Sequence, residues 1–406
     1  MSTEIIGIGG AVSQPAAAQA RPMAKARLLY IDNIRTLLIS MVVLVHLSAT
    51  YGFAGDWDYH EVGEVSPLAF FLVVLLQAIG TAFVMGLFFM IAGYFTPRTY
   101  DHRGPKGFLL ERFRRLGIPL VFFETVLNPP IHYAIAVHKG EFQGSFWSYL
   151  PFYPSNIGSF GDGPVWFLVA LLIFSVCYAL WRIVTGILPA SSQKGGIREV
   201  ALPGNGAIAL FALTIGLVTF MVRIWSPWGR YVEPWHLEPA HFPQYVAMFA
   251  IGVLAFRRGW SVESFLAQAK IWRWIALLFI LMVPVLAVAA GALTGSLDER
   301  GAGGLNWLSL AYSVWEGFMC VAMSISVLAL FARRFNRQGR LARMLSDNCF
   351  AVYILHSIVI IPLALVLSGL HMNLGLKFLV VAPVAMALCY MVAYYFRKIP
   401  LVRGIL

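Results

Sequence analysis

Apolar runs of roughly 17–25 residues recur along the chain, each the length a helix needs to cross a bilayer. They predict ten spans, at 34–51, 71–95, 116–137, 165–188, 207–225, 245–256, 274–293, 308–331, 350–370 and 376–396. The sixth is short and borrows length from the loop before it. The expected fold class is all-α: a polytopic transmembrane helix bundle in which residues 27–397 form one membrane domain.

Composition agrees with this pattern. Of 406 residues, 59% are hydrophobic and 12% charged, with mean hydropathy +0.75. A soluble domain carries about 25% charged residues. The net charge of +11 is distributed by side. With the N-terminus inside, 25 of the 30 Lys and Arg fall on inner segments and 5 on outer ones. That asymmetry is the positive-inside pattern. It puts both termini in the cytoplasm and makes the basic excess a property of inner loops, with no nucleic-acid partner. Residues 1–26 read as a disordered cytoplasmic tail, since no basic start is followed by a long apolar core. Residues 398–406 read as a C-terminal cytoplasmic tail. The four cysteines lie in apolar runs without paired spacing, and no metal site is expected.

The stretch from Arg27 to Gly52 changes the picture, because its apolar run carries Asp32, Arg35 and His46. Ionisable groups inside a span are costly and point to function. Arg35 and His46 are eleven residues apart, about 20° past three full turns, with a rise of about 16.5 Å. They share a face, Asp32 lies on it at pairing distance from Arg35, and the three are the expected catalytic groups. The expected orientation puts Arg35 at the inner surface and His46 in the outer half.

Other polar positions admit two readings each. Arg112 and Arg115 are one helical turn apart before the third span. They suit a phosphate through their planar forks, or they anchor the span to lipid phosphates. Glu124 sits in that span beside Asn128-Pro129-Pro130, as an intramembrane pairing group or a hydrogen-bonded structural acid. The outer segments carrying Trp166, Trp235 and His236 suit sugar rings, or form an interfacial aromatic belt. His236 and His241 are separated by prolines, and no regular element fixes them as metal ligands. Glu316, mid-span, is a plausible supporting group. His356 is placed in the inner half of the ninth span and reads as a helix–helix hydrogen bond.

The chain resembles the acyltransferase 3 family of bacterial integral-membrane proteins. The resemblance rests on RLLYIDNIRTLLISMVVLVH, on GLFFMIAGYF followed by ERFRRLGIPL, on GPVWFLVALLIF and on NCFAVYILHSIV. The YIDNIR start and FPQYVAMFAIGVLAFRRGW are closest to its glucan biosynthesis C-like branch. The resemblance implies O-acyl transfer (acetyl or succinyl class) from cytoplasmic acyl-CoA to a hydroxyl of an extracytoplasmic glycan, in the bacterial inner membrane. The partners implied are acyl-CoA, a carbohydrate acceptor, the lipid bilayer and glycan-synthesis machinery, with no tightly bound cofactor. The essential groups it implies are His46, Arg35, Arg112 and Arg115. His46 would then be a general base or a covalent acyl carrier. The competing readings are a transporter of an acyl donor or polysaccharide, and a scaffold for glycan synthases. The transporter reading lacks an internal two-fold repeat, and the scaffold reading leaves Asp32, Arg35 and His46 without a role.

Overall fold

A computed structural model describes residues 28–51, 57–153, 163–186, 203–260, 262–289, 291 and 299–403. The expected N-terminal tail and parts of several loops lie outside the described residues. The elements are helical, and among the described residues the one extended pairing is the isolated bridge Val232–Leu237.

Each of the ten expected segments is helical over most of its described residues. Helix α1 is Leu29–Thr50. Helix α2, Pro67–Arg112, continues through a π-helical turn at Phe113–Gly117, α3 (Ile118–Phe122), a second π turn at Phe123–Leu127 and α4 (Asn128–His138). After the short α5 (Phe146–Tyr149) come α6 (Trp166–Thr185), α7 (Asn205–Trp225), α8 (Phe242–Arg257) and α9 (Val262–Ala289). The chain ends in α10 (Trp307–Arg334), α11 (Arg340–Leu355), α12 (Ser357–Leu367), α13 (Leu374–Phe396) and a final turn α14 (Pro400–Arg403).

Among the described residues, eight helical stretches are long and apolar enough to cross a membrane, and a ninth if α11 and α12, bent by 65°, count as one. The expectation of ten differs because two expected spans share the continuous run from Pro67 to His138, 72 residues long. That run would be about 108 Å if straight, far more than one crossing uses. It bends at Gly104, whose φ of 69° ends a helix that Pro105 restarts.

Helix α1 sits inside the bundle. Ile34, Leu38, Val43 and Leu47 are fully buried along it, and its residues join three core clusters with α2, α10, α11 and α13. The tightest crossing is α2 on α8. A Cβ on Gly93 would lie 2.2 Å from the Phe249 carbonyl oxygen, and one on Gly252 would lie 2.1 Å from that of Met90. Lipid gives apolar helices no reason to exclude it, so small residues that let backbones touch hold spans together. Gly216 and Gly317 do the same where α7 crosses α10.

Charged clasps tie segments distant in sequence. Arg182 Nη1 bonds Asp101 Oδ1 at 2.8 Å, and Arg257 Nη1 lies 3.2 Å from Asp101 Oδ2. Both arginines also donate to the Tyr178 hydroxyl. The clasp pins the end of α2, just before the Gly104 bend, to α6 and α8. Lys377, 1% exposed, donates to Glu61 and to the Leu367 carbonyl, fastening the loop after α1 to α13.

Gly252→Leu is expected to part α2 from α8, costing about 1–3 kcal/mol of overpacking or more. Thermal unfolding in detergent reads this as a lowered midpoint. Gly206→Ala, where nothing lies within 4 Å, should leave the midpoint unchanged or slightly raised.

Candidate active site

The face of α1 that the spacing singled out lines a cavity of about 1590 Å³; Asp32, Arg35, Ile39, Val42, His46 and Ala49 all reach it. Arg112, Arg115 and Trp166 line the same cavity. Helix α2 measures its depth. Arg35 lies over the Phe95 ring at 5.4 Å, whereas Ser48 accepts from Gln77 Nε2 at 2.9 Å. Eighteen residues of α2 separate those levels, about 27 Å. One open space therefore joins the arginine level to the imidazole level.

At the arginine end, Asp32 Oδ1 is 3.4 Å from Arg35 Nη1. Asp32 was expected among the catalytic groups. It lies fourteen residues from His46, about 21 Å along the helix, so it serves the arginine end. Arg112 sits over the Phe108 ring at 5.2 Å, and Arg115 lies 3.5 Å from Glu111. The π turn after Arg112 widens the helix where both guanidinium groups meet the cavity; such turns recur at functional sites. Arg397 joins them, its Nη1 donating to Asn348 Oδ1 at 3.1 Å. It was counted among the inner basic residues without a role.

His46 Nδ1 is 2.7 Å from His356 Nε2. This corrects the expected depth of His356. The helix that carries it starts at Arg340, ten residues before the apolar run at 350. The extra turns lift His356 to the level of His46, at the 65° bend between α11 and α12. His356 is fully buried, and its Nδ1 is 2.7 Å from the Tyr353 carbonyl oxygen. A carbonyl only accepts, so Nδ1 carries the proton. In a neutral imidazole, Nε2 is then an acceptor. His46 Nδ1–H therefore donates to it, and the lone pair of His46 is on Nε2. The bend supplies the unpaired carbonyl that starts this chain.

Trp57 covers the pair, stacked on His46 at 4.2 Å between centroids and on His356 at 5.8 Å. Its loop is held from several sides. Glu61 meets Lys377, His60 Nδ1 reaches the Ala49 carbonyl at 2.8 Å, and Asp58 lies 3.7 Å from His132. Burial, and then the Glu61 carboxylate, push the Tyr59 hydroxyl above its usual range. It stays neutral, 3.4 Å from His138 Nε2.

The remaining expected residues divide. Trp166 lies on the cavity wall, stacked on Tyr245 at 5.6 Å. His236 also lines it, stacked on Tyr231 at 4.0 Å. Trp235 is 44% exposed and outside the lining. Glu124 is buried away from it, accepting from Asn128 Nδ2 at 3.4 Å. Glu316 takes the fully buried Arg223 at 2.5 Å and His241 Nδ1 at 3.1 Å. Arg223 could have been found as Glu316's partner, since each is an ionisable group within an apolar run.

The cavity thus joins a cluster of arginines at one level to an oriented imidazole at another, inside a bundle of membrane-length helices. Residues 28–396 match a family model described as an acyltransferase domain, and the chain belongs to this acyltransferase 3 family. No curated protein and no solved structure matches the chain. Membership decides for acyl transfer over the transporter and scaffold readings; it leaves the glucan biosynthesis C-like branch, the donor and the acceptor to proposal.

His356→Phe keeps the ring volume but removes the acceptor for His46 Nδ1–H. The expected result is a fall in acyl-transfer kcat of about 10²-fold, with KM for the donor little changed. An equal loss of folded protein would mean His356 is merely structural. Lys377→Met leaves Glu61 buried and unpaired, which costs about 3–5 kcal/mol. It should appear as a lowered melting midpoint and as faster proteolysis of the loop around Trp57.

Proposed function

We propose that the protein is an O-acyltransferase of the bacterial inner membrane, moving an acetyl- or succinyl-class group from acyl-CoA to a hydroxyl of an extracytoplasmic glycan. The observation that carries this reading is the shared cavity, with Arg35, Arg112 and Arg115 at one level and His46 about three helical turns away. The charge asymmetry of the sequence supports a cytoplasmic arginine level. CoA brings phosphates, which arginine forks hold bidentately. Its extended arm then has a polar path along α1 to the imidazole.

Chemistry at His46 follows from its tautomer. Nε2 takes the proton of the acceptor hydroxyl as the oxygen attacks the thioester carbonyl carbon. The C–S bond breaks, and the proton passes from the imidazolium to the departing thiolate, giving free CoA and the ester. While His46 is charged, its Nδ1–H bond to His356, itself backed by the Tyr353 carbonyl, orients the ring and spreads the charge. Trp57 covers the pair on one side and keeps water from that face of the ring. A periplasmic glucan is the acceptor that the sub-branch resemblance favours.

The test is acyl transfer from labelled acetyl-CoA and succinyl-CoA by purified protein in nanodiscs, with mass spectrometry of envelope glycans from cells with and without it. His46→Ala should abolish transfer while CoA binding persists. Arg112→Ala with Arg115→Ala should raise the KM for acyl-CoA about tenfold or more, with a smaller difference at high salt. Unchanged glycan esters with His46→Ala present in the membrane would refute the proposal. Accumulation of an acyl-enzyme from acyl-CoA alone would make His46 an acyl carrier rather than a base.

A further inference from the structure

The mechanism leaves unused a second polar cluster on the opposite wall of the cavity. Arg223 of α7 is fully buried; it donates to Glu316 of α10, to the Ser313 hydroxyl at 3.2 Å and lies 3.3 Å from His241 Nδ1. His241 Nδ1 also lies 3.1 Å from Glu316 Oε1. An arginine cannot accept, and the carboxylate is the shorter contact, so Nδ1–H donates to Glu316. That leaves Nε2 as the free edge of a ring that lines the cavity. Glu238, whose Oε1 accepts from the Gly229 amide at 2.8 Å, stands 3.6 Å from that Nε2. Trp228 packs beside them, its ring 4.9 Å below the Arg223 guanidinium and 5.7 Å from His241. Its indole Nε1–H is buried without a hydrogen-bond partner. Tyr231 and His236 extend the aromatic wall.

Depth gives this cluster its meaning. Gln244, three residues after His241, donates to the Ala82 carbonyl of α2, while Ser48, two residues after His46, takes its bond from Gln77. Those α2 positions are five residues apart, about 7.5 Å. His241 therefore stands near the level of His46 and far from Arg35. Charge differs too. Arg223 and Glu316 pair with each other behind the lining, and Glu238 puts a carboxylate on this wall, whereas Arg35, Arg112, Arg115 and Arg397 make the other end positive despite Asp32 and Asp347.

Resting on the acyltransferase reading above, we propose that Trp228, His241 and Glu238 form the acceptor subsite, selective for an uncharged sugar ring. Trp228 offers an apolar face; His241 Nε2 and Glu238 offer polar partners for sugar hydroxyls. A saccharide bound there presents a hydroxyl at the depth of His46. An acceptor bearing a carboxylate or phosphate is repelled by Glu238, which enforces direction: the anionic donor is drawn to the arginine end and the neutral acceptor to the acidic one.

Isothermal titration of the nanodisc-embedded protein tests this with three probes: CoA, a neutral gluco-trisaccharide, and the same trisaccharide ending in glucuronate. The neutral sugar is expected to bind at least about tenfold more tightly than the uronate. Trp228→Phe and His241→Gln should each weaken it about tenfold while leaving CoA binding unchanged, which also reports a folded protein. Glu238→Gln should narrow the discrimination against the uronate. Equal binding of both sugars, or neutral-sugar binding indifferent to Trp228→Phe and His241→Gln when CoA still binds, overturns the subsite and leaves the acyltransferase reading standing. Absence of CoA binding together with absence of acyl transfer overturns the acyltransferase reading itself.

Discussion

The hydrogen bond between His46 and His356 is the interaction on which the site depends. Alone, an imidazole in a span has no fixed tautomer and no fixed rotamer. Here one carbonyl fixes both rings, because the bend between α11 and α12 releases backbone acceptors that a continuous helix would use itself. The Tyr353 carbonyl holds His356 Nδ1–H, His356 Nε2 holds His46 Nδ1–H, and one nitrogen of His46 is left to accept a proton. The bend, costly in an apolar environment, is tolerated where protein surrounds it. Trp57 completes the enclosure, and its place depends in turn on the buried Lys377–Glu61 pair at the other end of the chain.

The same rule, that a polar group away from water must find its partner in the protein, organises the rest of the bundle. Arg223 with Glu316, Lys377 with Glu61, and Asp101 between Arg182 and Arg257 each join segments at least 75 residues apart in sequence or on different helices. Apolar contacts cannot specify which helix lies beside which when lipid is an equal neighbour. Glycine crossings and ion pairs can, since each has one geometry that satisfies it. The cavity survives in this packing because its walls are partly polar, with arginines at one level and carboxylates and imidazoles at the other.

Much of this was legible in the residues. The period of α1 put Asp32, Arg35 and His46 on one face, and that face lines the cavity. The dense basic segment placed Arg112 and Arg115 with them. Glu316 was recognisable as a group in need of a partner, but no period links it to Arg223, 93 residues away on another helix. Trp57 and Lys377 stand outside the polar stripe of α1, and nothing local marks either as part of the site. His356 was set too shallow because hydropathy marks where an apolar run begins, not where a helix begins; α11 starts in a polar segment.

By itself the sequence determined that this chain is a bundle of membrane helices, which helix carries the polar stripe and which arginines stand at its base. These follow from period and composition, which are local. Tertiary structure decided that His46 meets His356, that Trp57 lies over both, and that His241, held by Glu316, lines the cavity. Those depend on where a bend falls and which helices touch, and such contacts between distant segments leave no period in the chain.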